Sequence, residues 1–203
     1  MNDIDQIQNA LAFIDTEIIK LKGPGDVRTR VFCALSDVAM EHGKSIYVLI
    51  RQELYSSARA LVRVMFEAGV RSLWISKIAT EDELEKYIVK DEIEDLNMRA
   101  MTKVVDDYYK LGGVLIDTHK QVWGPANSFT HGGILQVRKR LKGGVIASVW
   151  DEKSERHLCQ LIGLILLLLY TETLKVMNPS DRVLQEDKIE ELLQNVLAQA
   201  DES

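Results

Sequence analysis

The residues at positions 161–170, LIGLILLLLY, form the most apolar run in the chain, with the tyrosine hydroxyl as their one polar side-chain group. Crossing a lipid bilayer as a helix takes about 20 apolar residues. This run is only ten residues long, and Gln160 and Glu172 lie close to its ends. We therefore expect a buried core helix rather than a membrane span, and no membrane partner.

A second segment, residues 45–79, is apolar around almost its whole circumference. Such a helix belongs in the middle of a bundle, because water would reach apolar side chains on any exposed face. The same argument applies to residues 149–177, which contain the leucine-rich run. We predict that these two helices form the centre of the protein.

Glycine, proline and capping residues divide the chain into helices and leave almost no sustained two-residue alternation. Residues 135–146, around Gly143-Gly144, could be an irregular ribbon or a broken helix. We predict an all-α fold in a single domain, 1–203, with a core at about 26–178 and a C-terminal amphipathic helix at about 181–200. The predicted helices cover residues 3–22, 26–42 (ended by Gly43), 45–79, 80–111, 114–122, 149–177 and 181–200.

Charge and cysteine content indicate an acidic cytoplasmic protein. The net charge is −6 and the pI is near 5.3, which argues against a general nucleic-acid coat protein but allows a local basic patch. Cys33 and Cys159 lie in apolar helical surroundings and are expected to be reduced. The N-terminal residues, MNDID, are acidic and do not resemble a signal peptide.

Histidine spacing does not predict a metal site. His157 and Cys159 are the only such pair at short spacing, and Cys159 lies in apolar surroundings. We therefore predict no metal and no cofactor.

Four charged residues are spaced by four within the apolar segment 45–79: Arg59, Arg63, Glu67 and Arg71. This spacing places them along one helix face, where one glutamate cannot neutralise three arginines. One interpretation is a structural ion-pair network, with further acids from the next helix (Asp91, Glu92, Glu94 and Asp95). The other interpretation is a binding site for an anion such as a phosphate or carboxylate.

A polar, glycine-rich segment at residues 123–133, WGPANSFTHGG, is predicted to connect two helices. Its length and composition favour a functional loop over a simple joint. It contains His131, which could be a packing histidine, a general acid or base, or a phosphate contact. Asn127 and Ser128 are ordinary N-cap residues and also candidate binding residues. A basic run follows directly, formed by Arg138, Lys139, Arg140 and Lys142.

The chain resembles a group of uncharacterised bacterial all-helical proteins in three features. These are the charges spaced by four at residues 59–71 with Trp74, the long acidic helix that follows, and the NSFTHGG motif at 127–133. These proteins are distantly similar to the HEPN superfamily, and the resemblance covers about residues 30–175. It implies a bundle of four to five main helices with flanking N- and C-terminal helices, and frequent homodimerisation. In active HEPN members it also implies metal-independent ribonuclease activity, often in toxin–antitoxin or phage-defence systems.

The HEPN nuclease motif is an arginine, four to six other residues and then a histidine. This chain departs from it, because Ala126, Pro125 and Gly124 occupy the positions where an arginine before His131 would lie. The favoured hypothesis is therefore a degenerate HEPN-like protein that binds RNA, a nucleotide or a protein partner such as a cognate antitoxin or defence protein. The alternative is a metal-independent ribonuclease that uses His131 with arginines of the central helix.

Both hypotheses share one geometric prediction. Arg63, Glu67, Arg71 and His131 are expected to form one anion site, with Arg138 and Arg140 at its rim. His131, Arg63 and Arg71 are the candidate catalytic residues. The candidate binding residues are Arg59, Glu67, Asn127, Ser128, Arg138 and Arg140.

Overall fold

The computed structural model describes residues 26–90, 97–142, 145–146 and 152–177, together with Ala12. The predicted helices at 3–22 and 181–200 lie outside the described residues, except for Ala12. The described elements, in order, are α1 (Val27–Arg51), α2 (Tyr55–Lys77), α3 (Glu81–Lys90), α4 (Met98–Tyr109), α5 (Val114–Thr130), α6 (Ile134–Arg138), β1 (Leu141–Lys142), β2 (Val145–Ile146) and α7 (Glu152–Met177). Over these described residues the fold is all-helical apart from the two-residue strands of one hairpin.

The core is built around α2 and α7, which confirms the prediction from their apolar sequences. Thirteen residues of α2 are buried, and in the leucine-rich run of α7 only Leu168 is partly exposed. The window Leu158–Val176 is long and apolar enough to cross a membrane, but 72% of it is buried inside the protein. Its apolar surface is therefore largely covered by the neighbouring helices.

Helix α1 continues through Gly43 to Arg51, so the prediction that Gly43 ends a helix is wrong. A Cβ on Gly43 would lie 3.3 Å from a methyl group of Leu166, so the missing side chain lets α1 pack closely on α7. The chain breaks later, at Glu53, which adopts a left-handed conformation with φ of 57°. The central helix consequently begins at Tyr55 rather than near residue 45.

Small residues also set the distance from α2 to its neighbours. A Cβ on Gly69 would lie only 2.8 Å from Cγ2 of Ile165, so α2 and α7 are in close contact there. The hydroxyls of Ser36 and Ser72 are 2.6 Å apart between α1 and α2, and Ser72 also donates to the carbonyl oxygen of Phe32 at 3.0 Å. These contacts fix α2 in the centre of the bundle.

The predicted helix at 80–111 is two helices, which corrects that boundary. The capping box is present as predicted, since Glu83 accepts from the Thr80 backbone N–H and the Thr80 hydroxyl accepts from the Glu83 N–H. A new helix starts at Asn97, whose extended backbone and side-chain bond to the Ala100 N–H form a second N-cap.

A buried aspartate fixes the start of α5. Asp106 is 2% exposed, and its carboxylate accepts from the backbone N–H groups of Gly113 and Leu115 at 2.7 Å each. Gly113 precedes the helix with φ of 95°, a conformation that favours glycine. Asp106 thereby satisfies amides that have no partner within the first turn of the helix.

Helix α5 extends to Thr130, so the prediction of an eleven-residue connector after Val122 is wrong. Pro125 lies inside this helix. It removes one backbone donor, and we attribute the continuation of the helix to its packing along α2. The segment 135–146 was predicted to be either an irregular ribbon or a broken helix, and it contains elements of both. Part of α6 comes first, and an antiparallel hairpin follows, in which Leu141 pairs with Ile146 and Lys142 with Val145.

Candidate anion-binding site

Two sets of side chains spaced by four residues face each other where α2 packs against α5. The helices run antiparallel, because Phe66 contacts His119, Arg63 contacts Trp123, and the Thr130 hydroxyl lies 3.3 Å from the Ala60 carbonyl oxygen. The set on α2 is Arg59, Arg63, Glu67 and Arg71. The set on α5 is His119, Trp123, Asn127 and His131, the last being the C-cap residue of the helix.

Arg63 lies at the centre of this arrangement and contacts three of its members. Its Nη1 is 2.9 Å from Nε2 of His131, and its Nε donates to Oε1 of Glu67 at 2.8 Å. Its Cζ lies 4.9 Å from the centroid of the Trp123 ring, within the range of a cation–π contact. Arg63 and His131 are 68 residues apart in sequence, so only the packing of α5 on α2 brings them together.

The contact between Arg63 and His131 has a defined direction. A guanidinium group can only donate hydrogen bonds, so His131 Nε2 must accept. A phosphate oxygen bound at this place would accept from Arg63 in the same way.

The positive charges of this face exceed its negative charge. Glu67, whose side chain is 17% exposed, also lies 3.7 Å from Nη2 of Arg71. Arg71 Nε is buried, with no hydrogen-bond partner among the described residues. Arg59 lies 5.4 Å from the ring of Phe129. Arg63, Glu67 and Arg71 sum to +1, and the acids proposed as further partners, Asp91, Glu92, Glu94 and Asp95, lie outside the described residues.

His119 is a member of this cluster that sequence analysis did not select. It is 8% exposed, and its ring stacks on Trp123 at 4.9 Å with 23° between the ring planes. Burial lowers the pKa of His119, and the positive charge of Arg99 lowers it further. Its spacing of four from Trp123 is a sequence signal, but this signal is hidden when the helix is predicted to end at Val122.

The turn after α5 holds His131 in place. Gly132 has φ of 65°, and the Gly133 N–H donates to the Ser128 carbonyl oxygen at 2.6 Å, the pattern of a Schellman cap. A Cβ on Gly133 would overlap the Ser128 side chain, so glycine is required there. Ser128 Oγ accepts from the Leu135 N–H at 3.2 Å. Ser128 thus stabilises the turn, while Asn127 Oδ1 is buried and has no partner in the described part of the chain.

The comparisons with known proteins give one match. Residues 36–186, which are most of the chain, fit a family described as a family of unknown function (DUF6988). The chain belongs to the DUF6988 family. No curated protein and no solved structure matches it significantly.

The part of the chain that matches the DUF6988 family includes every predicted site residue. Within it, the structure brings both Glu67 and His131 into contact with Arg63 and places Arg71 beside Glu67. We call these four residues the Arg63 site.

The basic run lies at one end of α2. Arg140 Nη2 is 3.5 Å from the hydroxyl of Ser56, three residues before Arg59, and Arg138 lies exposed on α6. Among the described residues, no group of three or more histidines, cysteines, aspartates or glutamates is arranged to hold a metal ion.

Proposed function

We propose that the Arg63 site binds a phosphate group of RNA or of a nucleotide. The observation that carries this proposal is the contact of 2.9 Å between Arg63 and the exposed His131, within a site where two arginines accompany one glutamate. Guanidinium groups suit phosphate because their planar N–H donors match its oxygens in geometry and charge.

Arg63 retains donors for such a ligand. A guanidinium has five N–H donors, and the hydrogen bonds to Glu67 and His131 use two of them. The Arg63 side chain is 27% exposed and that of Arg71 is 36% exposed, so solvent reaches both. Arg140, near the N-terminal end of α2, would extend the positive surface along a longer anionic chain.

In this proposal the protein is a degenerate HEPN-like bacterial protein of the cytoplasm, acting in a stress, toxin–antitoxin or phage-defence module. The HEPN likeness is supported by the helix order, the charged face of α2 and the motif that ends at Gly133. The missing arginine before His131 in sequence favours binding over cleavage.

The test is the affinity of a fluorescently labelled oligoribonucleotide for the wild type and for His131→Ala. Because His131 is exposed, its replacement should leave the unfolding midpoint nearly unchanged while it weakens binding. His42→Ala is the matched control, since His42 lies on α1, outside the cluster. Binding by the wild type should also weaken as salt is raised. Equal affinities of the wild type and His131→Ala would contradict the proposal.

A second candidate function is metal-independent cleavage of RNA, favoured specifically by the contact between Arg63 and His131. Arg63 supplies in space the arginine that the sequence lacks before His131. In such a reaction His131 removes the proton of a 2′-hydroxyl, O2′ bonds to phosphorus and the P–O5′ bond breaks. A water molecule protonates the departing O5′, and His131 returns its proton to the resulting hydroxide, which leaves a 2′,3′-cyclic phosphate and a 5′-hydroxyl. Arg63 or Arg71 stabilises the charge that develops on the phosphate.

Cleavage is tested with the labelled RNA in the presence of EDTA and excess protein. An active enzyme would lose activity in both Arg63→Ala and His131→Ala, and a single 2′-deoxy substitution at the cleaved position would block the reaction. An intact RNA that nevertheless binds would identify the protein as a binder.

We also propose that the protein forms a homodimer, and that its partners include a cognate antitoxin or defence protein. The HEPN likeness implies self-association, and apolar side chains are exposed beside the site. Ile134 is 58% exposed, Leu141 60% and Ile146 80%, an unusual concentration for a short segment.

A further inference from the structure

The arginine at the centre of the site lies against Trp123, and this indole ring has a second neighbour. His119 lies one helical turn before Trp123 on α5 and stacks on it at 4.9 Å. His119 also approaches Phe66 of α2, with 6.0 Å between the ring centroids. The order of contacts is therefore Phe66, His119, Trp123 and Arg63.

Among the described residues, His119 makes ring contacts but no hydrogen bond. Its Nε2 is buried, with no hydrogen-bond partner among the described residues, and the residue is 8% exposed. A histidine that served only to fill space could be replaced by a leucine without consequence for Arg63. A histidine that orients Trp123 could be replaced only by another flat ring, because aromatic stacking depends on ring geometry.

We propose that His119 is a positioning residue for the Arg63 site, because its ring holds the indole of Trp123 in the orientation against which the Arg63 guanidinium lies. This inference rests on the proposed phosphate-binding function of the site. Its consequence is that Arg63 reaches His131 and the ligand in one defined geometry, so that less conformational freedom is lost on binding.

The test compares His119→Phe, which keeps a flat ring, with His119→Leu, which keeps apolar volume and removes the ring. The first measurement needs no ligand: the ¹⁵N and ¹H shifts of the Arg63 Nε–H, identified by its absence in Arg63→Lys. Because Arg63 lies against an aromatic ring, these shifts report on the ring's position. We expect the Phe variant to keep the wild-type shifts and the Leu variant to change them.

The second measurement is the affinity for the same labelled oligoribonucleotide. Aromatic pairs contribute enough that losing one should weaken binding by about three- to tenfold in His119→Leu. His119→Phe should restore the wild-type affinity. If His119→Leu does not fold, His119→Gln removes the ring in the same way and takes its place.

Wild-type Arg63 shifts and wild-type affinity in His119→Leu would overturn the positioning role, and so would identical behaviour of the Phe and Leu variants. If the wild type binds no RNA, RNA is excluded as the phosphate ligand of the site. The Arg63 shifts in the free protein then still decide whether His119 positions the arginine.

Discussion

Replacing Arg63 with alanine should destabilise the protein because it leaves Glu67 poorly paired. Glu67 is 17% exposed and accepts from Arg63 at 2.8 Å, whereas Arg71 is 3.7 Å away. The remaining partner is too distant for a good hydrogen bond. The carboxylate would keep its partly desolvated position without the donor that compensates for it.

The expected loss is about 2 kcal/mol in the free energy of unfolding. Hydrogen bonds to charged groups contribute about 1.5–3 kcal/mol, and breaking a fully buried pair costs about 3–5 kcal/mol. The pair of Arg63 and Glu67 is 27% and 17% exposed, so solvent screens part of this larger figure. Arg71→Ala, a matched control on the same helix face, should cost less than about 1 kcal/mol because its side chain is 36% exposed.

Urea unfolding followed by circular dichroism measures these differences. Glu67→Gln keeps the size of the side chain and removes its charge, so Arg63→Ala combined with Glu67→Gln should be less destabilised than the two single changes add up to. We expect a coupling free energy of about 1 kcal/mol between the two residues. An Arg71→Ala variant as unstable as Arg63→Ala, or additive effects in the double variant, would refute this account.

Three further predictions concern the core, pH and self-association. Gly69→Ala should destabilise the protein by about 1–2 kcal/mol because its Cβ would lie 2.8 Å from Ile165. The control Gly124→Ala has open space at its Cβ and should stabilise α5 by up to about 1 kcal/mol. Unfolding midpoints in the reverse order would contradict this packing. Burial lowers the pKa of His119 in the folded state, so the contribution of this residue to stability is present above about pH 6.5 and is lost as pH falls. The difference in unfolding midpoint between the wild type and His119→Phe should therefore change between pH 7.5 and pH 5. A constant difference would exclude this contribution. Sedimentation at micromolar concentration should give twice the 23.0 kDa chain mass, and a clean monomer would rule out the dimer.

Local and periodic signals in the sequence were sufficient for the all-helical fold class and for the charged face of the central helix. The apolar run at 161–170 predicted a core helix because its side chains cannot be solvated on any face, and α7 is buried there. The spacing of four from Arg59 to Arg71 predicted one charged helix face, since neighbours in a helix are set by its pitch. The capping box at Thr80 was also predicted correctly, because its hydrogen bonds join residues within one four-residue segment.

The errors in helix boundaries came from residues whose local preference is opposed by packing. Glycine inside a helix costs about 1 kcal/mol relative to alanine, so Gly43 is locally a good terminator. At this position, however, it allows α1 to approach Leu166 of α7, and that contact is invisible in the local sequence. Pro125 also favours the end of a helix locally, yet α5 continues through it where it packs along α2.

The sequence by itself determined which residues could serve an anion site, and tertiary structure decided which of them meet. Arg63 and His131 are separated by 68 residues, and no periodicity relates them. Their contact depends on the antiparallel packing of α5 on α2, on Asp106 at the start of α5 and on the glycine turn at its end. The role of His119 was hidden for the same reason, because a stacking partner is defined by helix packing and only partly by spacing along the chain.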